Sequence, residues 1–233
     1  VIDEISTLSN DKKKIIENRF THHKLIYCGD IGKNRLGQFI TYQCPPIFTE
    51  GEAPSLFKFG SGYKHYHLDV NRRCECPKLE RLLDILRRMI YNGFDESNLI
   101  YWVRKNFDII DKNLIVYEPR DMILGRTHKV NEFYDEKYKD LEKYYIKEKH
   151  YGAYHNPGGK IAYKSIYNGE IFLEKPPIPE GKYKIRHGYT IDCIQGETAY
   201  HKLFIDTNRL TSLNHLYTAI SRAKRFKQIQ FVK

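Results

Sequence analysis

Thr190-Ile191-Asp192-Cys193-Ile194-Gln195-Gly196-Glu197-Thr198 is the densest chemical stretch of the chain, with hydroxyl, carboxylate, amide and glycine inside nine positions. Such a loop can bind sugar and phosphate groups on one side and a nucleic-acid backbone on the other. Its surroundings decide the fold class. Residues 203–205 read as a strand, 213–223 as a helix and 228–232 as a closing strand, an alternation that calls for a parallel sheet. The helix carries a second chemical stretch, Tyr217-Thr218-Ala219-Ile220-Ser221-Arg222-Ala223-Lys224-Arg225, with Arg222 near its end and an apolar opposite face. An Arg delivered by one domain to a phosphate bound on another is an arginine finger.

Working back towards residue 1, the same α/β texture recurs. Val1-Ile2, a helical pattern over 11–20 and the apolar run Leu25-Ile26-Tyr27-Cys28 give strand, helix, strand. A polar loop follows, and the Gly- and Pro-bearing stretch 51–62 is the best linker. Residues 65–70 alternate like a strand. Pro77 then opens a helix whose Leu79, Leu82, Leu83, Leu86, Met89 and Ile90 share one face until Gly93 stops it, a stripe that reads as core packing. Residues 114–117 and 122–124 read as strands, and Thr127 as the N-cap of a long polar helix reaching about Lys149. Residues 151–188, rich in Gly, Pro and Tyr, read as a small β insertion, with an Asn168-Gly169 turn joining strands 161–167 and 170–173.

Lys plus Arg number 39 against 29 Asp plus Glu, a net charge of +10 that favours an anionic partner such as nucleic acid. No apolar run approaches the roughly 20 residues of a membrane-spanning helix, so that class is excluded. The five cysteines lack zinc-finger spacing and read as reduced thiols of an intracellular protein. With neither an initiator Met nor a signal stretch, the sequence reads as cut from something longer and not secreted.

Several short stretches carry chemistry. Asp3-Glu4 directly follows the apolar pair Val1-Ile2, at the carboxyl end of a strand, where open α/β sheets place ligands. One carboxylate there can hold Mg²⁺ while its neighbour polarises water. Gly29-Asp30 repeats that geometry, and Gln43, in Tyr42-Gln43-Cys44-Pro45-Pro46-Ile47, can sense a phosphate or orient water. Asn71-Arg72-Arg73 sets a guanidinium at a sheet edge, where phosphate can bind it bidentately. Taken singly, each is also what a solvated turn supplies. Between 133 and 154 tyrosines and lysines interleave, either as strand-binding groups, Tyr144 and Tyr145 foremost, or as a helix with inward tyrosines and solvated lysines.

In order, Val-Ile-Asp-Glu-Ile-Ser, Gly-Asp with Gln-Cys-Pro-Pro-Ile, Asn-Arg-Arg, Thr-Ile-Asp-Cys-Ile-Gln-Gly-Glu-Thr and Tyr-Thr-Ala-Ile-Ser-Arg-Ala resemble motifs II to VI of superfamily 1 helicases, with a RecD-like or viral replicative flavour. The resemblance spans almost the whole chain and is faintest over 94–160. It implies RecA-like parallel-sheet domains: the end of a first over 1–50 with motifs II and III, a linker over 51–64, and a complete second over 65–233 with a small SH3-like β insertion at about 151–188. It implies ATP and Mg²⁺ as cofactors, with Asp3 on the metal and Glu4 activating water. Gln43 would meet the γ-phosphate, Arg73 and Arg222 its developing charge, and Gln195, Gly196 and Glu197 would link nucleotide to nucleic acid. Thr127, Thr190 and Thr198 join Tyr144 and Tyr145 as strand contacts, with single-stranded DNA preferred over RNA.

Two departures stand out. The spacer from Asp30 to Gln43 is long, leaving Gln38 as an alternative, and Asp192 stands where RecD-like members usually have His, which favours a viral or RNA-helicase-like variant. Gly-x-x-x-x-Gly-Lys-[Ser/Thr] occurs nowhere in these residues, so the phosphate loop is expected in an upstream segment and the chain alone is expected to hydrolyse no ATP. The expectation is the carboxyl-terminal part of an ATP-dependent helicase. The alternative is a helicase-like binding module without catalysis.

Overall fold

The computed structural model describes residues 1–2, 8–44, 66, 73–147, 150–155, 161–166, 171–176 and 178–233, with the backbone alone described at 39, 150–155 and 161–166. The expected linker and, Tyr66 apart, the 65–70 strand lie outside these residues.

Ile2 forms a parallel bridge with Tyr27, its N–H donating to Ile26 O (2.7 Å) while Cys28 N–H donates to Ile2 O (2.8 Å). Between them runs α1 (Asn10–Arg19), begun by Ser9, whose hydroxyl accepts from Lys12 N–H at 3.4 Å. A single bridge thus stands on either side of the helix where two strands were expected. The stretch read as a polar loop is instead an antiparallel hairpin, β1 (Ile31–Lys33) with β2 (Phe39–Thr41), Ile31 opposite Thr41. Its turn is closed by Asn34, whose Oδ1 accepts from Leu36 N–H (3.0 Å) and Gln38 N–H (2.9 Å).

Next come α2 (Pro77–Asn92), α3 (Leu99–Asn106), β3 (Ile109–Ile110), β4 (Met122–Gly125) and α4 (His128–Lys137). Five short strands follow: β5 (Tyr144–Ile146), β6 (His150–His155), β7 (Ile161–Ile166), β8 (Ile171–Phe172) and β9 (Tyr183–Ile185). The chain then returns through β10 (Gly188–Thr190), β11 (Leu203–Asp206), α5 (Leu213–Ile220) and β12 (Ile229–Val232). β10, β4, β11, β12 and β3, in that order, make a five-stranded sheet parallel throughout.

Alternate residues of its strands face opposite sides, as a pleated strand requires. Met122, Leu124, Leu203, Ile205, Ile229 and Phe231 join the core under α2, α3 and α5. Ile123, Phe204 and Val232 meet Val130 and Tyr134 of α4 on the other side. Both faces are covered, which is why the strands read as continuous apolar runs. The α2 stripe behaves as read: Leu79, Leu82, Leu83 and Leu86 are buried and Met89 and Ile90 pack against the same core, until Gly93 ends the helix in the left-handed region at φ 66°.

Other expectations are corrected. Thr127 does cap α4, its hydroxyl accepting from Val130 N–H at 3.4 Å, but the helix stops at Lys137 and residues 144–146 form a strand. There the burial period changes from helical to two: Tyr144 and Ile146 are buried and Tyr145 half-buried. The run of short strands therefore begins before 151. Its pairing also differs, since β7 pairs with β6, while β8 pairs with β5 in a sheet ordered β8-β5-β9. Residues 115–117 form no strand; Ile115 and Tyr117 tuck under the sheet while Leu114 and Val116 stay exposed.

Candidate functional site

Helix α5 is buried on nearly every side, so its polar residues must find partners inside the protein. They find them on either side of the β1–β2 hairpin, between Asp30 and Cys44. Asn214 Nδ2 donates to Thr41 O (2.8 Å) and Gln43 O (3.0 Å), and Thr218 Oγ1 accepts from Cys44 N–H (2.8 Å). The Tyr217 hydroxyl donates to Asp30 Oδ2 at 2.6 Å, and Arg87 of α2 approaches the other oxygen at 3.7 Å. Positions 214, 217 and 218 share one helix face, and that face grips the Gly-Asp and Gln-Cys motifs together. Burial is the main reason the Tyr217 hydroxyl is pushed well above its ordinary pKa, with the Asp30 charge adding to it.

The loop at 195–197 is the meeting point. Gln195 Nε2 donates to Gln43 Oε1 at 2.5 Å, joining residues 152 positions apart. Gly196 sits at φ 94°, open to glycine at little cost. Arg73 donates from Nη2 to Gly196 O (3.4 Å) and from Nη1 to Ser221 O (3.5 Å). Arg222 is 1% exposed, its Nη1 donating to Glu197 O (3.1 Å), Nε to Thr218 O (3.0 Å) and Nη2 to Ser221 Oγ (2.8 Å). Two guanidiniums thus hold consecutive carbonyls of one loop, and Arg222 is packed against that loop.

The structure brings Gln43, Arg73, Gln195, Gly196, Glu197 and Arg222 together. Gln38 stays in the hairpin turn, accepting from Asn34 Nδ2 at 2.9 Å. Asp3 and Glu4 lie outside the described residues, although Ile2 before them is held by its parallel bridge. Thr127 caps α4, next to Arg126, whose Nη1 meets Asp192 Oδ2 at 3.0 Å. Thr190 is buried at the end of β10, and Thr198 is half-buried. Asp192 also faces His215 Nε2 at 3.3 Å, and His215, then Arg126, hold its carboxyl below the usual range.

Tyr144 and Tyr145 stand apart from this cluster. The ring of Tyr144 is buried edge-on against Tyr183 (5.3 Å), while Tyr145 lies under the Arg186 guanidinium at 4.5 Å. Neither sits on a helix lined with lysines, and Lys143 is itself buried, its Nζ donating to Asp121 O at 2.5 Å. Sequence reasoning did not single out Arg87, Asn214 or His215. Arg87 had the one available signal, a cation on α2 one position beyond the buried Leu86.

No family model matches the sequence, and no curated protein matches it. Among solved structures, the Pif1 helicase from Candida albicans superposes with a TM-score of 0.59 at 13% identity, covering 100% of this chain and 72% of that one. Bacteroides Pif1 bound to ssDNA gives 0.58 at 13% identity, over 99% of this chain and 69% of that one. Pif1 helicase from Bacteroides in complex with ADP-AlF3 and ssDNA gives 0.54 at 14% identity, again over 99% and 69%. At such identities the likeness speaks for the fold: the chain has the RecA-like parallel-sheet architecture found in the Pif1 helicases.

Proposed function

We propose that this chain carries motifs II to VI of an ATP-dependent superfamily 1 helicase that couples hydrolysis to movement on a single strand and to duplex unwinding. The observation that carries the reading is the convergence of Gln43, Arg73 and Arg222, from three segments remote in sequence, on the 195–197 loop. Two guanidiniums and two amides around a glycine-opened loop are groups that suit an oxyanion, which they would meet by exchanging their present contacts with one another and with the loop carbonyls. Gln43 and Gln195 would meet the terminal phosphate and Arg73 and Arg222 its charge, with ATP supplying the phosphoryl chemistry. Asp3 is assigned to Mg²⁺ and Glu4 to water on their sequence motif. Pif1 structures with ADP-AlF3 and with ssDNA support both ligand classes.

On this reading residues 1–50 belong to a first RecA-like domain, 51–64 to a linker and 65–233 to a second domain with its β insertion, in an intracellular protein of RecD-like or viral kind. Thr127, Thr190 and Thr198 are assigned to the strand, DNA before RNA. Residues 1–233 alone, lacking Gly-x-x-x-x-Gly-Lys-[Ser/Thr], should turn over no ATP.

The test is ATP hydrolysis by the full-length natural product, with and without single-stranded DNA or RNA, beside Arg222→Ala. Stimulation by one polymer that the substitution abolishes is the expected result. Strand binding with no hydrolysis under any condition would overturn the motor and leave the catalytically silent binding module.

A further inference from the structure

Cys44, Asp192 and His215 reach one point from three segments: the loop after β2, the 3₁₀ turn Asp192–Ile194 and helix α5. Their sulfur, oxygen and nitrogen donors all lie within 4.8 Å of one another, the one such group among the described residues. Cys44 is 1% exposed and His215 6%. We propose that Cys44, Asp192 and His215 form a binding site for a transition-metal cation of zinc type, adjoining the proposed nucleotide site and using none of its residues.

Three features favour that cation. Thiolate, imidazole and carboxylate together are the donor set of zinc, whereas magnesium and calcium take oxygen alone. The charges balance: a deprotonated Cys44 and an ionised Asp192 neutralise a divalent ion, His215 binds neutral, and the Cys44 proton leaves to solvent on binding. The geometry needs small shifts, since a tetrahedral site with bonds of about 2.0–2.3 Å wants donors roughly 3.3–3.7 Å apart. His215 Nε2 and Asp192 Oδ1 already stand at 3.3 Å.

The surroundings are those of an oriented site. Arg126 holds Asp192 by Oδ2, leaving Oδ1 for the ion, much as outer partners orient metal-bound carboxylates. Thr218 fixes the backbone of Cys44 through its N–H. His215 is held through Nε2 on Asp192, and its other ring nitrogen is buried with no hydrogen-bond partner among the described residues. A bound ion would tie the Gln-Cys segment to the Asp192 turn and to α5 by coordinate bonds, beside the hydrogen bonds already there.

The experiment is equilibrium dialysis of chain 1–233 against buffered micromolar Zn²⁺, with Co²⁺ as a spectroscopic substitute. The expected result is one equivalent of Zn²⁺ and a thiolate-to-cobalt charge-transfer band. Cys44→Ser, His215→Gln and Asp192→Asn should each weaken binding at least ten-fold, in whichever of them keep the native circular dichroism. Cys74→Ser with Cys76→Ser should leave binding unchanged. No bound Zn²⁺ in the unmutated chain, Co²⁺ bound without the thiolate band, or binding lost with Cys74 and Cys76 would each overturn the site.

Discussion

At the scale of the residue, hydrogen bonds between distant positions connect the motifs. Tyr217 is the clearest case, because its hydroxyl meets an ionised partner at 2.6 Å. Tyr217→Phe should lower the unfolding free energy by about 1.5 kcal/mol, the usual worth of a bond to a charged group, measured by urea unfolding. An unchanged urea midpoint would mean that Asp30 is held by other groups. A second prediction concerns the buried cluster of Tyr117, Lys143 and His187, where the Tyr117 hydroxyl meets His187 Nδ1 at 2.9 Å. Burial, helped by the Lys143 charge, brings His187 from 6.5 down to about 4, and burial brings Lys143 from 10.5 down to about 8. Both groups bind more protons unfolded than folded between those values, so stability rises with pH across each window. The urea midpoint should climb from about pH 5 to 6.5, where few carboxylates titrate, and this limb should vanish in His187→Gln. These partnerships could not be read from the sequence. Gln43 and Arg222 were legible because their motifs name them, whereas Arg87 and His215 gain meaning only from Asp30 and Asp192, which the fold delivers.

Among the elements, those with a strong internal signal were legible. Helix α2 declared itself by its leucine spacing, Pro77 and Gly93, and the last strand, helix and strand by their apolar runs. The tyrosine-rich stretch misled, because a buried tyrosine three or four residues from the next serves a helix and one two residues from the next serves a strand. Tyr134 is buried on α4, donating to Asp206 Oδ2 at 2.6 Å, and Tyr144 on β5, with little in the intervening lysines to mark the change. The seating of α4 also depends on glycine. A Cβ on Gly188 would lie 2.7 Å from Asn131 Cα, in the backbone of α4, whereas one on Gly93 would meet nothing within 4 Å. Gly188→Ala should therefore cost about 1–3 kcal/mol through overpacking. Gly93→Ala should cost about 1 kcal/mol, from backbone conformation alone. Thermal unfolding of the two variants separates these causes, and equal stability of Gly188→Ala and the unmutated chain would show that α4 can shift away from β10 at no cost.

Across the whole molecule, charge and topology set the behaviour. If the +10 surface meets a single strand through about four phosphates, affinity should fall on the order of fifty-fold between 50 and 200 mM salt, measured by fluorescence anisotropy with a labelled oligonucleotide. A salt-independent affinity would point instead to stacking or to a non-nucleic partner. The parallel class of the sheet was legible in the alternation of elements, but its strand order was not, because order depends on which crossovers pack and leaves no local mark. That order has a consequence for synthesis. The last of the five strands in chain order, β12, lies between β11 and β3, and among the described residues β3 has no other neighbour in the sheet. While residues 229–232 are still in the ribosome, Ile109 and Ile110 have nothing to pair with and the apolar margin of β11 is bare. The sheet thus closes only once residues 229–232 have emerged, and a nascent chain arrested before them would present two open sheet edges at once, a form for chaperones to hold or proteases to clear.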